Sequence, residues 1–80
     1  MARRLYRPRP VTVQPDTQGA PAVVDRSEVV AVREQWLVED RWWTARPLRR
    51  RYFEVIMVDG ADRVVFCDLE SGRWFSQTGA

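Results

Sequence analysis

The chain has 80 residues, 30% of them charged and 45% hydrophobic, and a formal net charge of +2. That length makes one domain, which buries only about 60–65% of the surface exposed in the unfolded chain, so a few large side chains must supply the core. The composition excludes a disordered chain, and the small net charge excludes a general polyanion-binding surface, leaving local charge clusters as the nucleic-acid signal.

Residues 1–10, MARRLYRPRP, are basic, and Pro8 and Pro10 forbid a regular helix and disfavour a central strand. They are expected to form a flexible basic arm. Its Arg3, Arg4 and Arg7, with Tyr6 and Arg9, either decorate the surface or lie along a phosphate backbone or an acidic groove. A single β domain is expected over 11–77, with a tail at 78–80.

Val11–Val13 is a short β-prone run, Gln14–Pro21 has the Pro, Asp and Gly of a loop, and Ala22–Val24 returns as the second strand of a hairpin. Asp25–Glu28 reads as a polar turn. Over Val29–Asp40, Val30, Val32, Trp36 and Val38 share one parity, interrupted by Glu34, and the β-branched residues favour a strand. A helix capped by Ser27 is the alternative. Arg41–Arg51 has no clean period and contains Pro47, which predicts a loop or irregular crossover. Tyr52–Val58, Arg63–Leu69 and Arg73–Gln77 are predicted strands. They are joined by a turn at Asp59–Asp62 and a loop of Glu70, Ser71 and Gly72. The fold class is therefore mainly β: a small antiparallel meander or half-open barrel of about five to six short strands. No connection is long enough for the crossover that parallel strands require.

The chain contains no histidine and one cysteine, Cys67. General acid–base pairs, Cys–His or Ser–His nucleophiles and the usual zinc sites cannot be built from that set. The glycines are isolated, so no phosphate-cradling loop is present. Asp59 and Asp62 flank Gly60 as ordinary turn chemistry, and Cys67 reads as a buried, inert thiol. The expectation is a protein that is not an enzyme and has no cofactor, metal or small-molecule substrate. With neither a secretory leader nor an apolar run of about 18 residues, it is expected to be cytoplasmic and to contact no membrane.

All 13 basic residues are arginine, a bias that codon usage explains by itself and that also suits recognition of phosphate or carboxylate. The densest cluster runs from Trp42 and Trp43 through Arg46, Arg49, Arg50 and Arg51 to Tyr52 and Phe53. Arginines neutralise phosphates and exposed aromatics stack on bases, so this block is the candidate contact face for nucleic acid or a protein partner. The competing reading is a structural ladder, with arginine stems draped over apolar surface and charges neutralised by Glu39, Asp40 and Glu54.

Trp36, Asp40-Arg41-Trp42-Trp43, Pro47, Arg50-Arg51-Tyr52-Phe53, Asp59-Gly60, Val65-Phe66, Asp68-Leu69 and Ser71-Gly72-Arg73-Trp74-Phe75 form a set. With looser matches at Gly19, Pro21, Val30 and Val32, that set resembles a family of short actinobacterial-type proteins known as a domain of unknown function. It is also similar to the C-terminal segment of the inactive Y-family-polymerase-like protein of damage-induced mutagenesis cassettes. The resemblance implies a small β module accessory to DNA repair or translesion synthesis. Its partners would be DNA or a repair or replication protein. It supplies no binding residues. A homo-oligomer formed through an exposed strand edge or a Trp patch is the alternative.

Overall fold

The computed structural model describes residues 8–40, 43–45 and 47–77. It contains β1 (Arg9–Pro10), β2 (Val13–Pro15), β3 (Pro21–Val24), β4 (Ser27–Asp40), β5 (Leu48–Met57), β6 (Asp62–Asp68) and β7 (Trp74–Ser76). No described residue is helical. The helical alternative from Ser27 is overturned, because the β-branched residues of β4 pair along nearly the whole of β5.

All neighbours are antiparallel, in the order β1-β7-β6-β5-β4-β3-β2. β1 and β2 are consecutive in the chain yet lie at opposite ends of that order. The Val11 amide donates to the Trp74 carbonyl at 3.1 Å, and the Asp25 amide donates to the Thr12 carbonyl at 2.8 Å. The Thr12 amide donates in turn to Asp25 Oδ1 at 2.9 Å. The stretch from Arg9 to Pro15 thus ties the β7 end to the β3 end, and the sheet curls into a half-barrel.

The core lies inside the curl. Val24, Phe53, Val55, Met57 and Val65 are buried there, with Val11, Val13, Ala20, Val29 and Trp74 packed against them. β5 shows the period of two: Phe53, Val55 and Met57 are buried, whereas Tyr52, Glu54 and Ile56 are half-buried on the other face. β4 accommodates two register shifts, between Val29 and Ala31 and between Val32 and Glu34, so Val30 and Arg33 are its extra residues.

The turns follow local chemistry. Asp25 and Arg26 carry φ of 49° and 71°, the doubly positive pair of a tight β3–β4 hairpin. Gly60 has φ of 90° in the β5–β6 turn, where Asp59 Oδ1 accepts the Ala61 amide at 2.9 Å. Asp68 Oδ1 accepts the Glu70 amide at 2.8 Å and organises the β6–β7 turn.

Several boundaries differ from the sequence reading, and the first is β2, which runs Val13–Pro15 rather than Val11–Val13, so that Gln14, Pro15 and Pro21 are strand residues and not loop. Leu48–Arg51 belongs to β5 and is not a loop, since each of its residues pairs with β4. Arg9 and Pro10 pair with Ser76 and Phe75 and are not part of a flexible arm; proline is accommodated because β1 is an edge strand. Ser27 and Glu28 open β4 rather than completing the turn. Residues 1–7 and 78–80 lie outside the described residues.

Candidate binding face

Placing Arg49, Arg50 and Arg51 on a strand divides them. Opposite them on β4 stand Glu39, Val38 and Leu37 respectively. Alternation sends Arg49 and Arg51 to the face of Phe53, and Arg50 to the face of Tyr52. The triplet therefore does not present one basic surface, which corrects the expectation of a single contact face. Arg49 Nε lies 3.1 Å from Glu39 Oε2, and its Nη1 lies 3.5 Å from Glu70 Oε2. Both pairs are exposed and contribute at most about 1 kcal/mol each. The Arg50 guanidinium sits 4.5 Å from the Phe66 ring centroid, and its Nη1 donates to the Tyr52 hydroxyl at 3.2 Å. Its Nε is buried without a hydrogen-bond partner. Arg51 is exposed, with neither ion pair nor hydrogen bond among the described residues. Trp43 is 65% exposed in the turn after β4. Trp42, Arg46, Arg3, Arg4 and Arg7 lie outside the described residues.

A different constellation occupies the Arg50 face. Trp36 on β4 is directly opposite Tyr52 on β5, Tyr52 opposite Phe66 on β6, and Phe66 opposite Phe75 on β7. The Trp36 and Tyr52 rings are 5.3 Å apart and 6° from parallel. Tyr52 and Phe66 are 4.9 Å apart, and Phe66 and Phe75 5.3 Å. Arg73 reaches over Phe75 at 5.7 Å. In this four-ring ladder Phe66 is buried at 1% exposure, whereas Trp36, at the β4 end, is 40% exposed. The sequence reading took Trp36, Phe66 and Phe75 as strand residues and Tyr52 as part of the arginine-aromatic block, and it did not bring the four into one row. The signal available was at least one aromatic in each of β4, β5, β6 and β7, which becomes a row only once the register is known.

Trp36 ends the row because β4 is nearly an edge. β3 pairs only with Ser27 and Glu28, so among the described residues no strand flanks the outer side of β4 from Val30 to Glu39. The Leu69 amide donates to the Arg49 carbonyl, so odd-numbered residues in this part of β5 turn their backbone groups towards β6 and even-numbered ones towards β4. Trp36 and Val38, opposite Tyr52 and Arg50, accordingly bond to β5. Gln35, Leu37 and Glu39 then direct their N–H and C=O groups outwards. Val30, Val32, Trp36 and Leu37 are all exposed along the same stretch.

The middle of the Trp36 face is acidic. Arg33 Nη1 lies 3.1 Å from Asp62 Oδ2 and 3.8 Å from Glu54 Oε2. Hydrogen bonding to the Asp62 carboxyl, followed by burial and the charge of Asp62, pushes the Glu54 carboxyl above its usual range; Arg33 opposes this and Glu34 adds to it. On the opposite face the half-buried Cys67 thiol is pushed up by burial and by Asp68, against Arg51. An upward shift leaves little of the reactive thiolate. Among the described residues no group of three or more His, Cys, Asp or Glu is placed to hold a metal ion. Among the described residues no helix is long and apolar enough to cross a membrane.

No family model matches the chain, and neither the curated proteins nor the solved structures provide a match.

Proposed function

We propose that the chain is a small non-enzymatic binding module that engages a protein partner by strand addition at the outer edge of β4. The observation that carries this reading is a ten-residue stretch of edge, Val30–Glu39, with outward backbone groups at Gln35, Leu37 and Glu39 beside exposed Trp36 and Leu37. An added strand gains main-chain hydrogen bonds from such an edge and selectivity from the side chains beside it. An apolar edge left open is an association hazard that soluble proteins usually blunt with charge or proline. The sequence resemblance supports an accessory role in DNA repair or translesion synthesis, with a repair or replication protein as partner. The test is tagged-protein capture from cells with and without DNA damage. The expected result is a partner enriched after damage and lost with Leu37→Lys. Equal capture by both proteins would refute the edge as the contact.

A nucleic-acid reading is favoured by one observation: Arg51 is exposed and unpaired among the described residues. Titration of single-stranded and duplex DNA at low salt tests it. Binding that weakens steeply with salt and is reduced by Arg51→Ala supports the reading, and absence of binding at low salt removes it.

A further inference from the structure

Resting on the strand-addition reading, we infer that the occupant of the β4 edge is a second copy of this chain, paired antiparallel about Trp36. Two copies of one strand can pair about a two-fold axis in only a few registers, and the outward groups select among them. Hydrogen-bonded pairs must join Gln35, Leu37 and Glu39 of one copy to residues of the same set in the other. Centring the axis on Trp36 sets Gln35 against Leu37 of the second copy on both sides, so these four residues exchange their outward N–H and C=O groups. It sets Trp36 against Trp36 in the closer, non-hydrogen-bonded type of pair, with Cα atoms about 4.5 Å apart.

That register continues the packing already present. Each copy carries a row in which Phe75, Phe66, Tyr52 and Trp36 stack across neighbouring strands. Trp36 is 40% exposed at its end. Pairing the two tryptophans joins the rows into one and covers the indole. Charge gives the same answer. In the Trp36-centred register Glu34 faces Val38 of the second copy. Moving the axis to Leu37 instead places Glu34 opposite Asp40 of the second copy, and like charges directly opposite are destabilising. An axis on Gln35 brings Glu34 against Trp36 and leaves the indole without an aromatic neighbour.

Sedimentation velocity from micromolar to sub-millimolar concentration, paired with amide hydrogen exchange, tests the inference. The expected result is a monomer–dimer equilibrium in which the Gln35 and Leu37 amides gain protection as concentration rises. Two variants separate loss of pairing from loss of folding. Gln35→Pro removes an N–H that the monomer does not use, and Leu37→Lys puts a charge on an exposed edge position. Both should keep the β circular-dichroism spectrum of the parent while weakening dimerisation by at least about tenfold. A monomer at every concentration overturns self-pairing, as does a dimer that persists unchanged in both folded variants. Should the chain stay monomeric while a captured protein or single-stranded DNA protects the same amides, the second copy is wrong and the edge remains a contact. Should nothing protect them, the edge reading fails with it.

Discussion

Trp36 lies flat against Tyr52, with ring planes 6° from parallel, although 16 positions separate them in the chain. The contact arises because the β4–β5 register puts the two residues directly opposite. Aromatic pairs of this kind contribute about 0.5–1.5 kcal/mol beyond the area they bury. Trp36→Ala should therefore lower the unfolding midpoint by several degrees, at about 4–8 °C per kcal/mol for a domain of this size. Trp36→Phe should recover most of the loss. Thermal melts in dilute solution, where association adds nothing, check this. An unchanged midpoint for Trp36→Ala would show that the stack contributes no stability.

Adjacent arginines should behave oppositely. Arg50 packs on Phe66 and donates to Tyr52, so Arg50→Ala should cost about 1–3 kcal/mol through lost cation–π, packing and hydrogen-bond contributions. Arg51→Ala removes an exposed side chain and should stay within about 0.5 kcal/mol of the parent. Arg50→Met should fall between, because it keeps an apolar stem over Phe66 and removes the buried, unsatisfied Nε. Urea unfolding of the three variants gives the ranking, and equal losses for Arg50→Ala and Arg51→Ala would contradict it.

The same pair explains where the sequence was legible. The strands at Tyr52–Val58 and Arg63–Leu69 announce themselves through β-branched and aromatic residues between turn signals. Consecutive arginines give no alternation to read, so Leu48–Arg51 looks like loop although it extends β5. Within β4 the extra residues Val30 and Arg33 throw the inward parity out of step. Val32 and Trp36 share a parity in sequence, yet Val32 lies opposite the buried Val55 and Trp36 opposite Tyr52 on the other face. The edge of β4 and the aromatic row are properties of strand order and register, and neither is written in any single segment.

Arg26 occupies the second position of the β3–β4 turn at φ of 71°, in the left-handed region where a side chain is strained and glycine is not. Its side chain is exposed and has no hydrogen bond or ion pair among the described residues. Arg26→Gly should stabilise the hairpin by about 0.5–1 kcal/mol, the usual scale for matching residue type to backbone conformation. Arg26→Val should destabilise it, because β-branching worsens the left-handed strain. The chemical-denaturation midpoints of the two variants should straddle that of the parent. Both falling below it would mean that the arginine side chain, rather than its backbone, sustains the turn.

Glu54 supplies a pH dependence whose sign follows from its surroundings. Hydrogen bonding to the Asp62 carboxyl, then burial and the Asp62 charge, raise its folded-state pKa above the usual carboxylate value. Folding therefore favours the protonated form. Its contribution to stability is present at acid pH, below the ordinary carboxylate value, and is lost as pH rises through the raised one. Glu54→Gln keeps a group able to donate to Asp62 and carries no charge at any pH. The variant should gain stability over the parent at neutral pH, and the gain should shrink as pH falls through the window between the two values. Urea midpoints for both proteins across that range, taken as a difference, follow the Glu54 carboxyl and the groups it touches. A constant difference between the two curves would mean that Glu54 titrates in the folded protein as it does in the unfolded chain, and that Arg33 already neutralises the cluster.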